Sequence, residues 1–302
     1  MPTRPTPARA LRARLEAPGI LVLPGVADAL VARLAASAGF EAVYATGAGV
    51  ANALLGVPDL GLTTATEAAD QVARIADAVD VPVIADMDTG FGNAINARRS
   101  MQAFERAGAA GIQIEDQVFP KRCGHFDGKA VIPVGEMVGK LRAVLDARRD
   151  PSVVVIARTD AIATDGLDAA LDRAAAYREA GADVLFIEAP TDRDALLALP
   201  GRVAAPLLAN MVEGGRTPLL SAAELDRAGY RIALFANTAL RVGAAAIRGA
   251  FDELRRSGDA GPLQDRMLSW ADRQALVDLP AYQRLEQRYR DPADDHGGAD
   301  DR

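Results

Sequence analysis

The 302-residue sequence is poor in the residue types that carry cross-links and much side-chain reactivity. It has a single cysteine, Cys123, which excludes an internal disulfide and indicates a reduced, cytoplasmic setting. It has two histidines, His125 and His296, and only three lysines among its 34 basic residues. Two of those lysines, one histidine and the cysteine lie between Lys121 and Lys129. The scarcest residues of the chain are therefore concentrated in one short segment.

Excess positive charge and long hydrophobic runs are also absent. The net charge of −7 gives no global basic field to attract nucleic acid or anionic lipid. Apolar runs such as Val153–Ala157 are far shorter than the roughly 20 residues that a membrane-spanning helix needs. The first 15 residues contain arginine and proline but lack the apolar core of a signal peptide. We therefore expect a soluble cytoplasmic protein with no nucleic-acid or membrane partner.

The sequence does contain a repeating pattern of strands and helices. Short apolar runs alternate with alanine-rich amphipathic stretches, several of which end in Ala-Gly, as at Gly108 and Gly181. Glycine at that point suits a left-handed helix C-cap. Strands with almost no polar alternation indicate burial on both faces and hence parallel pairing. The predicted strands are Ile20–Leu23, Ala42–Ala45, Pro82–Asp86, Gly111–Glu115, Val153–Arg158, Val184–Glu188, Pro206–Ala209 and Ile232–Phe235.

Eight such units in about 230 residues predict an α/β fold, a (β/α)₈ TIM-type barrel, with an open doubly wound sheet as the alternative. We expect the barrel and an N-terminal helix to occupy residues 1–257, followed by a C-terminal helical extension over 258–290. The acidic, glycine-containing segment 291–302 is expected to be disordered. The connection 116–133 is rich in glycine, lysine and aromatic residues, which favours a functional lid.

Polar residues occupy the ends of the predicted strands, where the active site of a barrel forms. Asp86 and Asp88 are two residues apart and so point the same way, an arrangement that is costly without a cation between them. Helix capping accounts for any one such residue taken alone. It does not account for five consecutive strands that end in charged or amide residues, namely Asp86, Glu115, Arg158, Glu188 and Asn210.

The types of these side chains indicate a metal and an acidic substrate. Carboxylate oxygens from Asp86, Asp88 and Glu115 suit a hard divalent cation, Mg²⁺ or Mn²⁺, rather than zinc. Asp59 either reaches the same cation through water or is a turn residue after a proline. Arg158 offers a planar fork to a substrate carboxylate. We therefore expect a small dianionic carboxylic acid as the ligand.

The segment 121–125 reads Lys-Arg-Cys-Gly-His. A thiol beside two cations and a histidine has a lowered pKa and can act as a nucleophile or an acid/base. The alternative is that Cys123 is a small buried apolar residue. Gly124 would give this loop the freedom to close.

A second glycine-containing segment, 46–52, almost matches a dinucleotide-binding fingerprint. Asn52 stands in place of the third glycine, and no strand-ending acid follows about 20 residues later. We prefer to interpret the segment as a nest of backbone N–H groups for a carboxylate.

Taken together, the motifs resemble those of the isocitrate lyase / phosphoenolpyruvate mutase superfamily. The resemblance runs from about residue 20 to 257, and the motifs are Asp86-Met-Asp-Thr-Gly, Glu115-Asp-Gln, Lys121-Arg-Cys-Gly-His, Ala157-Arg-Thr-Asp and Asn210-Met-Val-Glu-Gly-Gly. The Lys-x-Cys-Gly-His element is the most specific of these and is carried by the lyase branches. The resemblance implies a Mg²⁺-dependent barrel that forms a homotetramer and exchanges a terminal helix between subunits.

The resemblance also implies roles for individual residues. Asp86 and Asp88 would be metal ligands, and Asp59 and Glu115 would act through bound water. The implied substrate-binding residues are Thr46, Gly47, Ala48, Gly124, Arg158, Glu188, Asn210 and Arg241, the last for an extra carboxylate. The implied catalytic residues are Lys121, His125, Arg158, Glu188 and, as the acid/base on a mobile loop, Cys123.

We therefore predict an oxo-acid-lyase that cleaves a carbon–carbon bond of a 2-hydroxy di- or tricarboxylate, similar to 2-methylisocitrate or dimethylmalate. The products would be a 2-oxo acid such as pyruvate and a carboxylic acid. Alternatives with the same metal site are a carboxyphosphonoenolpyruvate phosphonomutase and an oxaloacetate hydrolase or decarboxylase. A catalytically silent barrel that serves as a binding or assembly protein is the alternative from another class.

Overall fold

The chain forms a closed barrel of eight parallel strands in chain order, with the last strand paired to the first. The computed structural model describes residues 5–122, 124 and 128–290. The strands are β1 Leu21–Val26, β2 Val43–Ala45, β3 Val83–Asp86, β4 Gly111–Glu115, β5 Val154–Thr159, β6 Val184–Ile187, β7 Leu207–Asn210 and β8 Ile232–Phe235.

The described residues also contain α-helices before, between and after the strands. They are α1 Pro7–Glu16, α2 Ala29–Ser37, α3 Gly47–Val50, α4 Ala65–Ala78, α5 Ala94–Arg106, α6 Val134–Ala147, α7 Ile162–Asp165, α8 Leu167–Glu179, α9 Arg193–Arg202, α10 Ala222–Ala228, α11 Thr238–Ser257, α12 Trp270–Leu276 and α13 Leu279–Arg290. No helix among the described residues is long and apolar enough to cross a membrane.

The predicted barrel is confirmed, and the alternative of an open sheet is wrong. Residues Leu21 to Pro24 of β1 pair in register with Ile232 to Phe235 of β8, which closes the sheet on itself. Every residue of β2, β4, β5 and β6 is buried, as parallel strands covered by helices require. The predicted bounds of β4 and β8 agree with the structure, whereas β1 runs three residues further, to Val26.

The connection after β2 contains helical structure. Residues 47–55 form α3 and a π-helical turn, Ala51–Leu55. The hydroxyl of Thr46 accepts a hydrogen bond from the backbone N–H of Gly49 at 3.5 Å and so caps α3. Gly56 ends the turn with φ at 66°, a left-handed conformation that glycine adopts without strain.

Helix α1 lies at the amino ends of the strands. Its Leu11 is fully buried, and a Cβ added to Gly111 at the start of β4 would lie 3.1 Å from Leu11 Cδ2. Arg12 donates to the carbonyl of Ser152 at 3.2 Å and to Asp183 at 3.0 Å, residues that precede β5 and β6. This end of the barrel is therefore occupied by α1, and the open end is the one where the strands finish.

The chain divides into two compact units after Ala244. The second unit contains the rest of α11, a 3₁₀ turn Gly261–Arg266, α12 and α13. Large apolar side chains are exposed in this unit, among them Phe251, Trp270 and Tyr282. The domain boundary after residue 257, the homotetramer and its exchanged helix stay predictions, and the segment 291–302 lies outside the described residues.

Candidate active site

The carboxyl ends of the strands surround a cavity of about 40 Å³. The predicted site residues that line it are Thr46, Ala48, Asp59, Asp86, Lys121, Gly124, Arg158, Glu188 and Asn210. Gly47, Asp88 and Glu115 lie next to these lining residues. Cys123 and His125 fall outside the described residues. The structure thus brings residues from widely separated strands to one point, as predicted from their positions at strand ends.

Asp86 lies on the acidic side of the cavity and is held by three donors. Its Oδ1 accepts from the backbone N–H of Asp88 at 3.1 Å and from Gln113 Nε2 at 3.3 Å, while its Oδ2 accepts from Gly47 N–H at 3.2 Å. A Cβ at position 47 would lie 2.8 Å from Asp86 Oδ2, so only glycine allows this approach. Because this N–H is directed at Asp86, the predicted carboxylate-binding role of Gly47 stays a prediction.

Lys121 supplies positive charge between two carboxylates. Its Nζ lies 2.5 Å from Asp59 Oδ1 and 2.9 Å from Asp88 Oδ1, and its side chain is only 4% exposed. Burial raises the pKa of Asp88 to about 6, although the charge of Lys121 opposes the shift. Burial alone would lower the pKa of Lys121, but Asp88 and Asp59 raise it well above its ordinary value. Lys121 is therefore a stable cation in this cluster.

The donor set of this cluster is compatible with Mg²⁺. Asp59, Asp86, Asp88 and Glu115 offer only oxygen atoms, which hard cations prefer. Glu115 is 1% exposed, and its Oε1 has no hydrogen-bond partner within the described ranges. Among the residues that the structure describes, no three His, Cys, Asp or Glu side chains are grouped as a ready-made metal cage. Mg²⁺ usually retains several waters and needs only one or two protein carboxylates, so the residues present fit it.

Arg158 lines the same cavity and lies beside Glu115. It donates to both carboxylate oxygens of Asp160, from Nε at 2.8 Å and from Nη2 at 3.1 Å. Its Nε also lies 3.4 Å from Glu115 Oε2, and its guanidinium carbon is 5.0 Å from the ring centre of Phe186. Burial would lower the pKa of Arg158, but the charges of Asp160 and Glu115 raise it. The guanidinium is therefore permanently charged and held in one orientation.

The connection 116–133 is held together by contacts among its own described residues. Gln117 forms an antiparallel bridge with Val131, and its side-chain amide exchanges two hydrogen bonds with the backbone of Arg122, both at 2.9 Å. Lys129 Nζ donates to the carbonyl of Gly124 at 2.5 Å. The backbone at Gly124 lies at the mouth of the cavity and forms part of its lining.

Beneath Arg158, Asp116 is the centre of a buried hydrogen-bond network. Its Oδ2 accepts from Thr159 Oγ1 at 2.7 Å, Tyr177 Oη at 2.7 Å and Arg173 Nη1 at 3.2 Å, and its Oδ1 accepts from the backbone of Asp160 at 2.9 Å. Burial raises the pKa of Asp116, and these hydrogen bonds oppose the shift. The network holds the end of β5 in place.

Arg241 does not line the cavity. Its side chain is 57% exposed; its Nη1 donates to the carbonyl of Glu213 and lies 3.8 Å from Glu213 Oε2. The Thr238 hydroxyl donates to the same carboxylate. The binding of an extra carboxylate by Arg241 stays a prediction, and the structure pairs this arginine with Glu213 instead.

Three residues of the site were missed by sequence reasoning. Tyr44 donates to Gln113 Oε1 at 2.7 Å, and Gln113 in turn donates to Asp86. Both are polar residues in strands buried on both faces, and that contrast is a signal that would have identified them. Asp160 was visible as part of a strand-end motif, but its bonds to Arg158 were not.

The chain is similar to a known family and to characterised proteins. The family model "phosphoenolpyruvate phosphomutase" matches residues 11–255. A 2,3-dimethylmalate lyase from Eubacterium barkeri is 42% identical over 282 residues, which cover 93% of this chain and 98% of the relative. A 2-methylisocitrate lyase from Aeropyrum pernix is 44% identical over 282 residues, covering 93% of this chain and 90% of that protein.

Solved structures show the same similarity. Oxaloacetate acetylhydrolase in complex with 3,3-difluorooxalacetate has a TM-score of 0.90 at 35% identity, covering 95% of this chain and 98% of that one. Phosphonopyruvate hydrolase in complex with oxalate and Mg²⁺ has a TM-score of 0.86 at 32% identity, covering 95% and 100%. The chain therefore belongs to the phosphoenolpyruvate phosphomutase family, within the isocitrate lyase / phosphoenolpyruvate mutase superfamily that its motifs indicated.

Proposed function

We propose that the protein is a Mg²⁺-dependent carbon–carbon lyase that converts a 2-hydroxy dicarboxylate into a 2-oxo acid and a second carboxylic acid. One observation supports this above all: a buried carboxylate cluster and a buried arginine lie together at one cavity at the mouth of the barrel. The relatives with 42% and 44% identity are both named as lyases of substituted hydroxy acids, and the family membership makes a lyase the expected activity.

The charges that line the cavity support the need for a metal. Among the described residues that line it, the carboxylates are Asp59, Asp86 and Glu188 and the cations are Lys121 and Arg158. A dianionic acid would add further negative charge to this enclosed space, which is unfavourable without a compensating cation. In our proposal Asp86 and Asp88 hold Mg²⁺, with Asp59 and Glu115 acting through water. When bound, Mg²⁺ would supply Lewis-acid stabilisation of the negative charge on the substrate oxygen.

The residues of the chain would then perform three tasks. Arg158 binds a substrate carboxylate through guanidinium N–H groups other than the two that donate to Asp160, and Asn210 also lines the cavity. Glu188 lines the same cavity and would accept the hydroxyl proton. Breaking the adjacent C–C bond leaves the 2-oxo acid and a carboxylate-stabilised carbanion. Cys123, in the role that the family resemblance implies, donates its proton to that carbon.

The surroundings of Arg241 favour a dicarboxylate over a tricarboxylate. A third carboxylate needs a further cation, and Arg241 is engaged by Glu213 outside the cavity lining. Within the cavity lining, Phe186 and Leu234 are apolar and suit methyl substituents. A substituted malate of the dimethylmalate type therefore fits better than 2-methylisocitrate.

A second candidate is hydrolysis of oxaloacetate, which the similarity to oxaloacetate acetylhydrolase favours. A panel of acids distinguishes the candidates: 2,3-dimethylmalate, 2-methylisocitrate, oxaloacetate and a phosphonate donor, each with Mg²⁺ or with EDTA. We expect EDTA-sensitive release of a 2-oxo acid from 2,3-dimethylmalate. Acetate formed from oxaloacetate alone would support the second candidate, and a new phosphorus NMR signal would indicate a phosphonomutase. No turnover of any acid would contradict the proposal and favour a silent barrel.

A further inference from the structure

Asp160 accepts hydrogen bonds both from Arg158, the arginine proposed to bind the substrate, and from the loop after β4. Its Oδ2 and Oδ1 accept from Arg158 Nε and Nη2 at 2.8 and 3.1 Å, and its Oδ1 also lies 2.8 Å from Lys129 Nζ. The Asp160 side chain is fully buried and that of Lys129 is 2% exposed. Charge-assisted hydrogen bonds in a dry environment are the strongest of their kind, so this is a firm connection.

Lys129 extends the connection to the backbone over the cavity. The same Nζ donates to the carbonyl of Gly124 at 2.5 Å. Gly124 lies close to both Arg158 and Glu188, since a Cβ at this position would be 2.4 Å from Arg158 Nη2 and 2.6 Å from Glu188 Oε1. One carboxylate therefore determines the orientation of the arginine below and, through one lysine, the position of the loop backbone above.

Asp160 itself is held rigidly. Its backbone N–H donates to Asp116 Oδ1 at 2.9 Å, and Asp116 is anchored by Tyr177 and Arg173. A carboxylate with a fixed backbone and three charge-assisted donors has little freedom to reorient. If the loop moves at Gly124, it must therefore either break the hydrogen bond from Lys129 to the Gly124 carbonyl or displace Arg158.

We propose that Asp160 and Lys129 are positioning residues. They hold the backbone of Gly124 over Arg158 and so keep the loop and the arginine together in the active site. Lys129 acts only on the loop. Asp160 acts on the loop and on the arginine together. The kinetic consequences rest on the proposed lyase function, whereas the structural consequence can be measured without any substrate.

The first test is hydrogen–deuterium exchange of the full-length protein, read by mass spectrometry. Lys129→Met leaves Arg158 and Asp160 paired, so the fold is expected to survive the substitution. We expect exchange in the segment 117–130 to accelerate about tenfold, with no change in α6. The matched control is Arg202→Met, which removes a cation from an exposed pair with Asp168 and should alter neither segment.

Equal exchange at 117–130 in the wild type and in Lys129→Met would overturn the proposal. A parallel rise in α6 would overturn it as well, because it would show general destabilisation. Should Lys129→Met not fold, Asp160→Asn is measured in its place against the same two outcomes.

Steady-state kinetics on the substrate found by the acid panel provides the second test. Lys129→Met should lower kcat about tenfold with little change in KM, whereas Asp160→Asn should lower kcat and also raise KM, since it releases the arginine. Identical kcat and KM effects of the two substitutions would contradict the separate roles. If no acid is turned over, the lyase proposal fails, but the hydrogen–deuterium exchange experiment still tests the positioning roles of Asp160 and Lys129.

Discussion

Gly124 and Arg158 approach each other so closely that the loop has no room for a side chain at position 124. A Cβ there would lie 2.4 Å from Arg158 Nη2, a separation that real Cβ atoms do not show. Gly124 does not have a left-handed conformation, so the requirement for glycine comes from the close contacts with Arg158 and Glu188. The loop backbone at Gly124 and the side chain of Arg158 are therefore in direct contact.

Gly124→Ala is therefore expected to displace the loop from the cavity. A shift of about 1 Å in a catalytic group can cost about a hundredfold in rate, and we expect a loss of that order in kcat/KM. The melting temperature should change by no more than about 2 °C, because the loop can move without opening the barrel core. Gly139→Ala in α6 is the control, since a Cβ there meets no atom within 4 Å. Unchanged kinetics of Gly124→Ala would show that the loop position seen here is not the active one.

Much of the fold was predictable because it depends on local patterns. Apolar runs of four to six residues and Ala-Gly helix ends can each be recognised from a few neighbouring residues. Together they predicted the positions of all eight strands. Helix α3 was missed because Gly47 and Gly49 have low helix propensity, which the cap from Thr46 and the packing of Gly49 against Ala27 overcome.

The strand-end residues that line the cavity could be predicted from the sequence, whereas Tyr44, Gln113 and the contacts between the side chains could not. Strand-end position identified Asp86, Glu115 and Arg158, because all strand ends of a closed barrel meet at one face. The bond between Lys129 and Asp160 joins a loop residue to another strand, and no pattern in the sequence encodes that distance. Lys121 was predicted as a catalytic residue; its salt bridges to Asp59 and Asp88 became visible only in the structure.

Mg²⁺ should stabilise the protein through the carboxylate cluster. Ligand binding at about a hundredfold above Kd contributes about 2.7 kcal/mol, which corresponds to roughly 5 °C in the melting temperature of a chain of this size. We expect that rise in the wild type, its loss in Asp88→Asn and its retention in the exposed Asp168→Asn control. Differential scanning fluorimetry with MgCl₂ or EDTA measures it. A full Mg²⁺ shift in Asp88→Asn would exclude Asp88 as a ligand.

Cys123→Ser tests the proposal that Cys123 is the acid that protonates the carbanion. A serine hydroxyl is a far weaker acid than a thiol, so kcat should fall by at least about a hundredfold. The Mg²⁺-induced rise in melting temperature should persist, because the substitution leaves the carboxylate cluster intact. Lyase activity at the wild-type rate would refute the role of Cys123.

Arg241→Ala tests the preference for a dicarboxylate. Because Arg241 is exposed and paired with Glu213, its removal should change kcat/KM for 2,3-dimethylmalate by less than about twofold. The control Arg158→Ala should abolish turnover, since it removes the guanidinium from the cavity lining. A loss of more than about tenfold in Arg241→Ala would instead place this arginine on the substrate.

The Arg158–Asp160 pair predicts a specific acid dependence of stability. Burial by itself would raise the pKa of Asp160, but the charge of Arg158 and hydrogen bonds from Arg158 and Lys129 hold it at about 2. The unfolded chain has a value of about 3.9, so the native state binds this proton less readily. The stabilisation is therefore fully present above pH ~4 and is lost as the pH falls through about 2. Urea unfolding followed by circular dichroism should show the wild type losing on the order of 2 kcal/mol more than Asp160→Asn across that interval. Parallel losses in the two proteins would mean that the pair does not depress the pKa of Asp160.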